Sequence, residues 1–320
     1  MKNLDVAVFG PEGYAGQELT KLLENHPDVG QVVPVGRDSD QDLVGIDAAF
    51  LALPTNSSAQ EAPKLLQAGA TVIDLSGYFR FETAAEYKRW YGEEHRSPEL
   101  LSTAVYGLPE FSRDTMAGKK LIANPGCYPT ATLLGLTPLT DEGLLSPYGS
   151  VVVDAISGVS GMGIKKVDEA NRVMGWSDSY AYKVGRVHPH VGEIEQFLGG
   201  EKIFFSPSVG PFFRGMLVRT TVQLKDGIKP EHVQSVLEET YDGEPFVQVL
   251  PMGEIPSVET TSCTDNCAIG IVAAGSTLQI VSSIDNLGKG AASQAVQGFN
   301  VVFELDEATG LTPYQLIASS

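Results

Sequence analysis

An α/β domain built on a doubly wound parallel sheet, followed by an α+β domain with a mainly antiparallel sheet, is the fold class that the sequence predicts. Three observations predict it. The first half alternates short apolar strands with helical patterns, a glycine-rich turn follows the first strand, and from about Ser150 longer β-like runs take over. A chain of 320 residues is long enough for two domains, each with its own core.

In chain order, "LDVAVFG" reads as strand one, Gln17 to Asn25 as a helix, and "QVVPVG" as strand two. "AAFLALP" reads as a strand, "SAQEAPKLLQAG" as a helix and "TVIDLS" as another strand. In the second half "SVVVDAISGVSG", "KIFFSPSV", "MLVRTTVQL" and "STLQIVSSI" are β-like, while "KPEHVQSVLEETY" carries an apolar stripe at helical spacing. "GAASQAVQGFNVVFEL" is a final helix expected to pack back on the first domain. The expected division is therefore 1–148, completed by 287–320, around a second domain at 149–286.

Composition narrows the function classes. The chain is 42% hydrophobic and 19% charged, with 40 acidic against 22 basic residues and a net charge of -18. Such a balance argues against a non-specific nucleic-acid or anionic-membrane binder, so an anionic small substrate must meet a local cluster of positive groups. No apolar run approaches the roughly 20 residues of a membrane span, and "MKNLDVAVFG" runs straight into a strand. The chain reads as cytoplasmic. Its three cysteines, Cys127, Cys263 and Cys267, cannot all pair, and the last two lack a second ligand pair for zinc, so free thiols are expected.

One of those thiols has unusual neighbours. In "ANPGCYPTAT" Pro125-Gly126 reads as a turn and Pro129 suits the first positions of a helix, which places Cys127 near a helix N-terminus. Cysteines so placed favour the nucleophilic thiolate. A helix end contributes about 0.3–1 kcal/mol, ~2 at most, against about 1.36 kcal/mol per pKa unit. A cationic partner is therefore expected elsewhere in the chain.

At the other end, "FGPEGYAGQEL" sets Gly10, Gly13 and Gly16 after a strand and before a helix. These glycines, with Tyr14 and Ala15 between them, suit the tight turn and close approach of a Rossmann-type dinucleotide loop, although G-x-x-G-x-x-G differs from the usual G-x-G-x-x-G. Strand two ends "PVGRDSD", where Arg37 is positioned for the 2′-phosphate of NADP; Asp38 keeps NAD open, and a solvated loop charge is the plain alternative for Arg37.

Five histidines occur. His26, His95 and His232 lie in polar or exposed contexts and are expected at the surface. His188 and His190 form an H-x-H pair before a run that starts a helix at Val191 to Leu198. No second His or Cys cluster is visible, so no metal is expected. A histidine here can supply the cation and general acid that Cys127 needs, or be structural. Arg80, in "DLSGYFRF", and Arg214, in "GPFFRG", sit in aromatic sequence that suits either an anion site or a structural arginine. "SGVSGMG" at 157–163 is a loop suited to backbone binding of an anion or of the nicotinamide amide.

Taken in order, "GPEGYAG", "LALP", "VIDLSGYFRF", "YGLPE", "IANPGCYPTA", "SGVSGMG", "HPHVGEIEQ", Arg214-Gly215 and "IDNLGKGAASQAVQGFN" resemble the N-acetyl-gamma-glutamyl-phosphate reductases of arginine biosynthesis over nearly the whole chain. N-P-G-C-Y-P-T is the most specific string. The resemblance implies a second domain of the dehydrogenase C-terminal type, a relation to aspartate-semialdehyde and glyceraldehyde-phosphate dehydrogenases, and a homo-oligomer, dimer or tetramer. It also implies NADPH-dependent reduction of an acyl phosphate to an aldehyde through a thioester on Cys127. The family's paired histidines match His188 and His190, with the general acid/base placed at His190. Cofactor contacts are expected from Gly10, Gly13, Tyr14, Ala15, Gly16, Arg37, Ser157, Gly158 and Asn286. Substrate contacts are expected from Arg80, Asn124, Ser160, Glu193 and Arg214.

This chain also departs from the family pattern. It has His-Pro-His-Val-Gly-Glu at 188–193 where the family usually reads H-R-H-T-P-E, "GPFFRG" where V-P-M-x-R-G is usual, and "TSCTDN" in place of a common R-G-S-N. The glycine loop carries Pro11-Glu12 instead of Ala-Ser. These positions surround the expected substrate and cofactor, so aminoadipyl or aspartyl phosphate stays open as the substrate, as does a non-catalytic NADP-binding redox or interaction protein.

Overall fold

The computed structural model describes residues 2–37, 43–164, 167 and 178–314. They form two compact units, Met1–Gly126 with Gly290–Leu311, and Cys127–Lys289 with Thr312–Ser320. Asp38 lies outside the described residues.

The first unit is an all-parallel six-stranded sheet made of β1 (Leu4–Phe9), β2 (Val29–Val35), β3 (Ala48–Leu51), β4 (Thr71–Asp74), β5 (Ala104–Tyr106) and β6 (Leu121–Ala123), in the order β2-β1-β3-β4-β6-β5. Alternation along a strand sends neighbouring side chains to opposite faces, and both faces here are apolar. Ala7 and Phe9 of β1 face a core with Ala59, Ala62 and Leu65 of α2 (Thr55–Gln67) and Tyr87 of α3 (Ala84–Tyr91). Val6 and Val8 face Leu19 and Leu23 of α1 (Tyr14–Glu24) and Met116 of α4 (Pro109–Met116). The C-terminal helix, Ser293–Val302, completes that face with Ala295, Val296 and Phe299, which is the return to the first domain that its apolar pattern predicts. Because β2 and β3 lie on either side of β1, the carboxyl ends of β1 and β3 flank the sheet's switch point, where such folds bind ligands.

The second unit holds a seven-stranded mixed sheet. Its strands are β7 (Val151–Ser157), β8 (Tyr180–Ala181), β9 (Ile203–Val209), β10 (Met216–Gln223), β11 (Val247–Val249), β12 (Cys267–Ala274) and β13 (Thr277–Ile284), in the order β11-β12-β13-β10-β7-β9-β8. Most neighbours are antiparallel; β7 with β9 and β11 with β12 run parallel. α5 (Cys127–Asp141) packs on this sheet and on α6 (Pro189–Phe197) and α7 (Pro230–Thr240). Every residue of α5 from Tyr128 to Leu139 is buried, the mark of a helix apolar all round. That burial is why α5 groups with the second unit, so the first unit ends at Gly126 where the sequence led us to expect 148.

Two histidines expected at the surface are buried. His26 is 3% exposed: Nε2 hydrogen-bonds Asn300 Oδ1 at 2.9 Å, and the ring meets Phe299 edge-on. His95 is 6% exposed and stacks on Tyr78 at 4.0 Å, with burial lowering its pKa from the ordinary value. Their covers come from 274 and 17 residues away, so neighbouring sequence gave no warning. His232 is exposed, as its pattern predicts.

Candidate active site

The glycine loop follows β1 directly. Gly10 has φ of +75°, and a Cβ there would lie 2.5 Å from Ala52 O beyond β3, so only glycine closes this side of the switch point. The Gly13 N–H donates to Gly10 O at 3.2 Å, and Gly13 caps α1, which starts at Tyr14, three residues earlier than its apolar pattern indicates. A Cβ on Gly16 would sit 2.1 Å from Gly10 O. The turn therefore brings backbone against backbone at a helix N-terminus, a cradle that fits a dinucleotide pyrophosphate. Arg37 is exposed just past β2. Replacing Gly16 by alanine is expected to destabilise the fold by about 1–3 kcal/mol and to weaken dinucleotide binding at least tenfold, measured by a thermal melt and a fluorescence titration.

β6 leads to the nucleophile through a braced turn. The Asn124 N–H donates to Asp74 O at 2.9 Å, and its side chain donates to Ala291 O at 3.2 Å. Arg80 is 8% exposed; its Nε donates to Asn124 O and its Nη2 to Leu75 O, both at 2.8 Å. Arg80 and Asn124, expected at the substrate, thus hold main chain three residues before the cysteine.

Cys127 opens α5 as a half-buried thiol, and neither it, the exposed Cys263 nor the buried Cys267 is in a disulfide. Around α5 stands an aromatic and imidazole cluster. Tyr128 meets His188 at 6.2 Å, His190 at 5.9 Å and Phe205 at 5.2 Å; the two histidine rings are 4.5 Å apart, and Tyr182 lies 5.8 Å from His188. The Tyr182 hydroxyl donates to Tyr128 Oη at 3.4 Å, and Tyr128 donates to Ser208 O at 3.2 Å. Burial pushes the Tyr182 hydroxyl up to about 12, helped by negative charge on Cys127; burial, then Tyr182 and Cys127, also raises Tyr128. A thiolate at Cys127 is thus felt by the same two tyrosines that touch the histidines.

The histidines have different jobs. His188 is the N-cap of α6, and its Nδ1 accepts the His190 N–H at 3.2 Å. Burial, then positive charge on His190 and Lys183, pushes its pKa down to about 2 against the opposing pull of Glu193. His188 is therefore a neutral cap at neutral pH. His190 is half-buried one residue into α6, its ring 4.5 Å from that of His188. The helix itself is anchored by Glu195, whose buried carboxylate accepts from Arg186, from Lys202 at 3.1 Å and from the Ile203 N–H at 3.0 Å. Glu193 is also buried on this helix.

The "SGVSGMG" loop is packed against residues 212–215. Its N–H groups are used internally: Gly158 donates to Gly215 O, and Val159 and Ser160 donate to Phe212 O and Phe213 O, each at 2.9 Å. Asn286 bridges the same loops, its Nδ2 donating to Ser160 Oγ at 2.9 Å while its Oδ1 accepts the Gly215 N–H at 2.7 Å. Ser157 and Gly158 close the strand end, where a Cβ on Gly158 would meet Phe213 O at 2.4 Å. Arg214 Nε donates to the wholly buried Asp285 at 2.6 Å, and Asp285 also accepts the N–H groups of Cys263, Leu287 and Gly288. Asp285, Tyr128 and Tyr182 were not singled out from sequence; Tyr128 and Asp285 lie inside quoted strings, whereas nothing near Tyr182 marks it.

Comparison with known proteins places these features in a family. A family model for the semialdehyde dehydrogenase NAD binding domain matches residues 30–119, and one for the semialdehyde dehydrogenase dimerisation domain matches residues 127–286. The N-acetyl-gamma-glutamyl-phosphate reductase of Geobacillus kaustophilus is 38% identical, over 96% of this chain and 98% of that protein. That of Methanopyrus kandleri is 40% identical over 96% and 97%. Among solved structures, aspartate semialdehyde dehydrogenase II from Vibrio cholerae superposes with a TM-score of 0.75 at 20% identity, covering 94% of this chain and 99% of that one. A probable aspartate-semialdehyde dehydrogenase from Pseudomonas aeruginosa gives 0.73 at 19%, over 94% and 98%. The thiol at the head of α5, the paired histidines and the glycine loop thus stand in a chain that belongs to the N-acetyl-gamma-glutamyl-phosphate reductase family of semialdehyde dehydrogenases.

Proposed function

We propose that the chain reduces N-acetyl-gamma-glutamyl phosphate to N-acetylglutamate semialdehyde and phosphate, with NADPH as reductant. The observation that carries this reading is Cys127: a thiol outside any disulfide at the first residue of a buried helix, whose next residue, Tyr128, packs edge-on against both histidine rings. The Cys127 thiolate attacks the acyl carbon, the C–O bond to phosphate breaks, and a thioester forms on the sulfur. The glycine loop would hold the pyrophosphate of the dinucleotide and Arg37 its 2′-phosphate, and the bound nicotinamide would supply the hydride. N–H groups in the first turn of α5 stabilise the oxyanion of the resulting thiohemiacetal. His190 lends that oxyanion a proton and takes it back as the C–S bond breaks, releasing the aldehyde and returning the thiolate. Arg214, fixed by Asp285, supports binding of a substrate carboxylate. The dimerisation-domain match supports a homo-oligomer, dimer or tetramer. No helix among the described residues is long and apolar enough to cross a membrane, and together with the composition this supports a cytoplasmic enzyme.

The test runs the reaction in reverse. NADPH formation is followed from NADP, phosphate and N-acetylglutamate semialdehyde, with parallel arms using the aminoadipate and aspartate semialdehydes. A Cys263→Ser background keeps an alkylating agent from reporting on the exposed second thiol. Turnover on the first semialdehyde, lost when Cys127 is alkylated, is the expected result. Turnover confined to another arm reassigns the acyl group, which the departures at 188–193, 209–214 and 260–266 keep open. Binding of NADP without turnover in any arm replaces the enzyme with a redox or interaction protein.

A further inference from the structure

Glu12 stands where the family usually has serine, in the middle of a loop expected to receive a pyrophosphate. Its carboxylate does not point into the cradle. A Cβ built on Gly36 would lie 2.7 Å from Glu12 Oε1, so the carboxylate rests against Gly36, one residue past the end of β2. The approach is built into the loop. Gly10 N–H donates to Val35 O at 3.1 Å, tying the loop to the end of β2, and Gln17 Nε2 donates to the Glu12 carbonyl at 2.9 Å, fixing the turn that carries the side chain. Glu12 is exposed, and so is Arg37, the residue after Gly36.

That place has a meaning in doubly wound nucleotide-binding folds. The carboxyl end of the second strand is where an acidic group accepts hydrogen bonds from the adenosine ribose hydroxyls of NAD, and where a basic group holds the 2′-phosphate of NADP. Here the strand itself delivers Gly36-Arg37, and a carboxylate arrives from the glycine loop. We infer that Glu12 determines dinucleotide choice: its carboxylate accepts from the ribose hydroxyls of NAD(H) and repels the 2′-phosphate that Arg37 attracts. The chain then takes both dinucleotides, with NADP(H) bound less tightly than Arg37 alone permits. This inference rests on the dinucleotide reading of the glycine loop, and it is independent of which acyl phosphate is reduced.

Direct binding tests it without turnover. Fluorescence titrations of the full chain with NADPH and NADH compare the wild type with Glu12→Gln, Glu12→Ser and Arg37→Ala, each first checked by a thermal melt. Removing the charge is expected to tighten NADPH about tenfold and to weaken NADH severalfold, an effect that shrinks as salt is raised because the site is exposed. Arg37→Ala is expected to weaken NADPH alone. Equal changes for both dinucleotides in the two Glu12 variants, or no change in either, overturn the assignment. A folded wild-type chain that binds neither overturns it together with the cofactor reading, whereas a split in binding with no acyl-phosphate turnover overturns the substrate reading and leaves Glu12 in place.

Discussion

Serine at position 127 is expected to lower turnover on the acyl phosphate by about 10⁴-fold or more, while dinucleotide affinity stays within twofold. The size follows from the nucleophile. A thiol is partly ionised near neutral pH and its sulfur is intrinsically reactive, whereas a serine hydroxyl needs a strong general base. The stabilisation available at the head of α5 is about 0.3–1 kcal/mol from the helix, ~2 at most, far short of what ionising an alcohol requires. Dinucleotide affinity is expected to be spared because the substitution leaves the glycine loop and Arg37 unaltered. Single-turnover phosphate release, read against an NADPH titration of the same variant, measures both quantities. A serine variant that retains a tenth of the activity removes the thioester from the mechanism.

His190→Asn is the second large effect, expected to lower kcat about 10²–10⁴-fold with KM changed much less. His188→Asn supplies the contrast, because asparagine is a good N-cap and keeps α6 started; kcat is expected to fall no more than about tenfold. The difference rests on protonation. His188, pushed down to about 2 chiefly by burial, takes up a proton far less readily in the folded chain than in the unfolded one. Below about pH 6.5, the ordinary histidine value, the unfolded state binds more protons, so His188 subtracts stability as pH falls and subtracts nothing above it. A pH profile of kcat separates the two roles. The basic or acidic limb that reports the catalytic imidazole is expected to vanish in His190→Asn and to persist in His188→Asn. Persistence of that limb in His190→Asn assigns the proton transfer elsewhere.

Much of this was readable in the sequence because it is local. β1, the glycine turn and α1 are contiguous, and the strand-to-turn-to-helix passage around Cys127 is carried by Pro125, Gly126 and Pro129. The H-x-H pair likewise announced itself just before a helix, though not that one ring is spent on capping the other's backbone. What sequence missed depends on partners distant in the chain. His26 is covered by Asn300 and Phe299, and Arg80 is claimed by the carbonyl of Asn124, so a polar neighbourhood or an aromatic one told nothing of burial. In the loop at 157–163 the N–H groups of Gly158, Val159 and Ser160 close onto residues 212–215, a pairing no local pattern encodes.

The complete burial of α5 also bears on motion. Native-state opening begins in segments with few apolar contacts and reaches the most enclosed elements last. A helix with no solvent-facing side from Tyr128 to Leu139 belongs to the last group, so the Cys127 sulfur hangs from an enclosed element of its unit. Amide hydrogen exchange is accordingly expected to be slower from Tyr128 to Leu139 than in the exposed loops of the same unit.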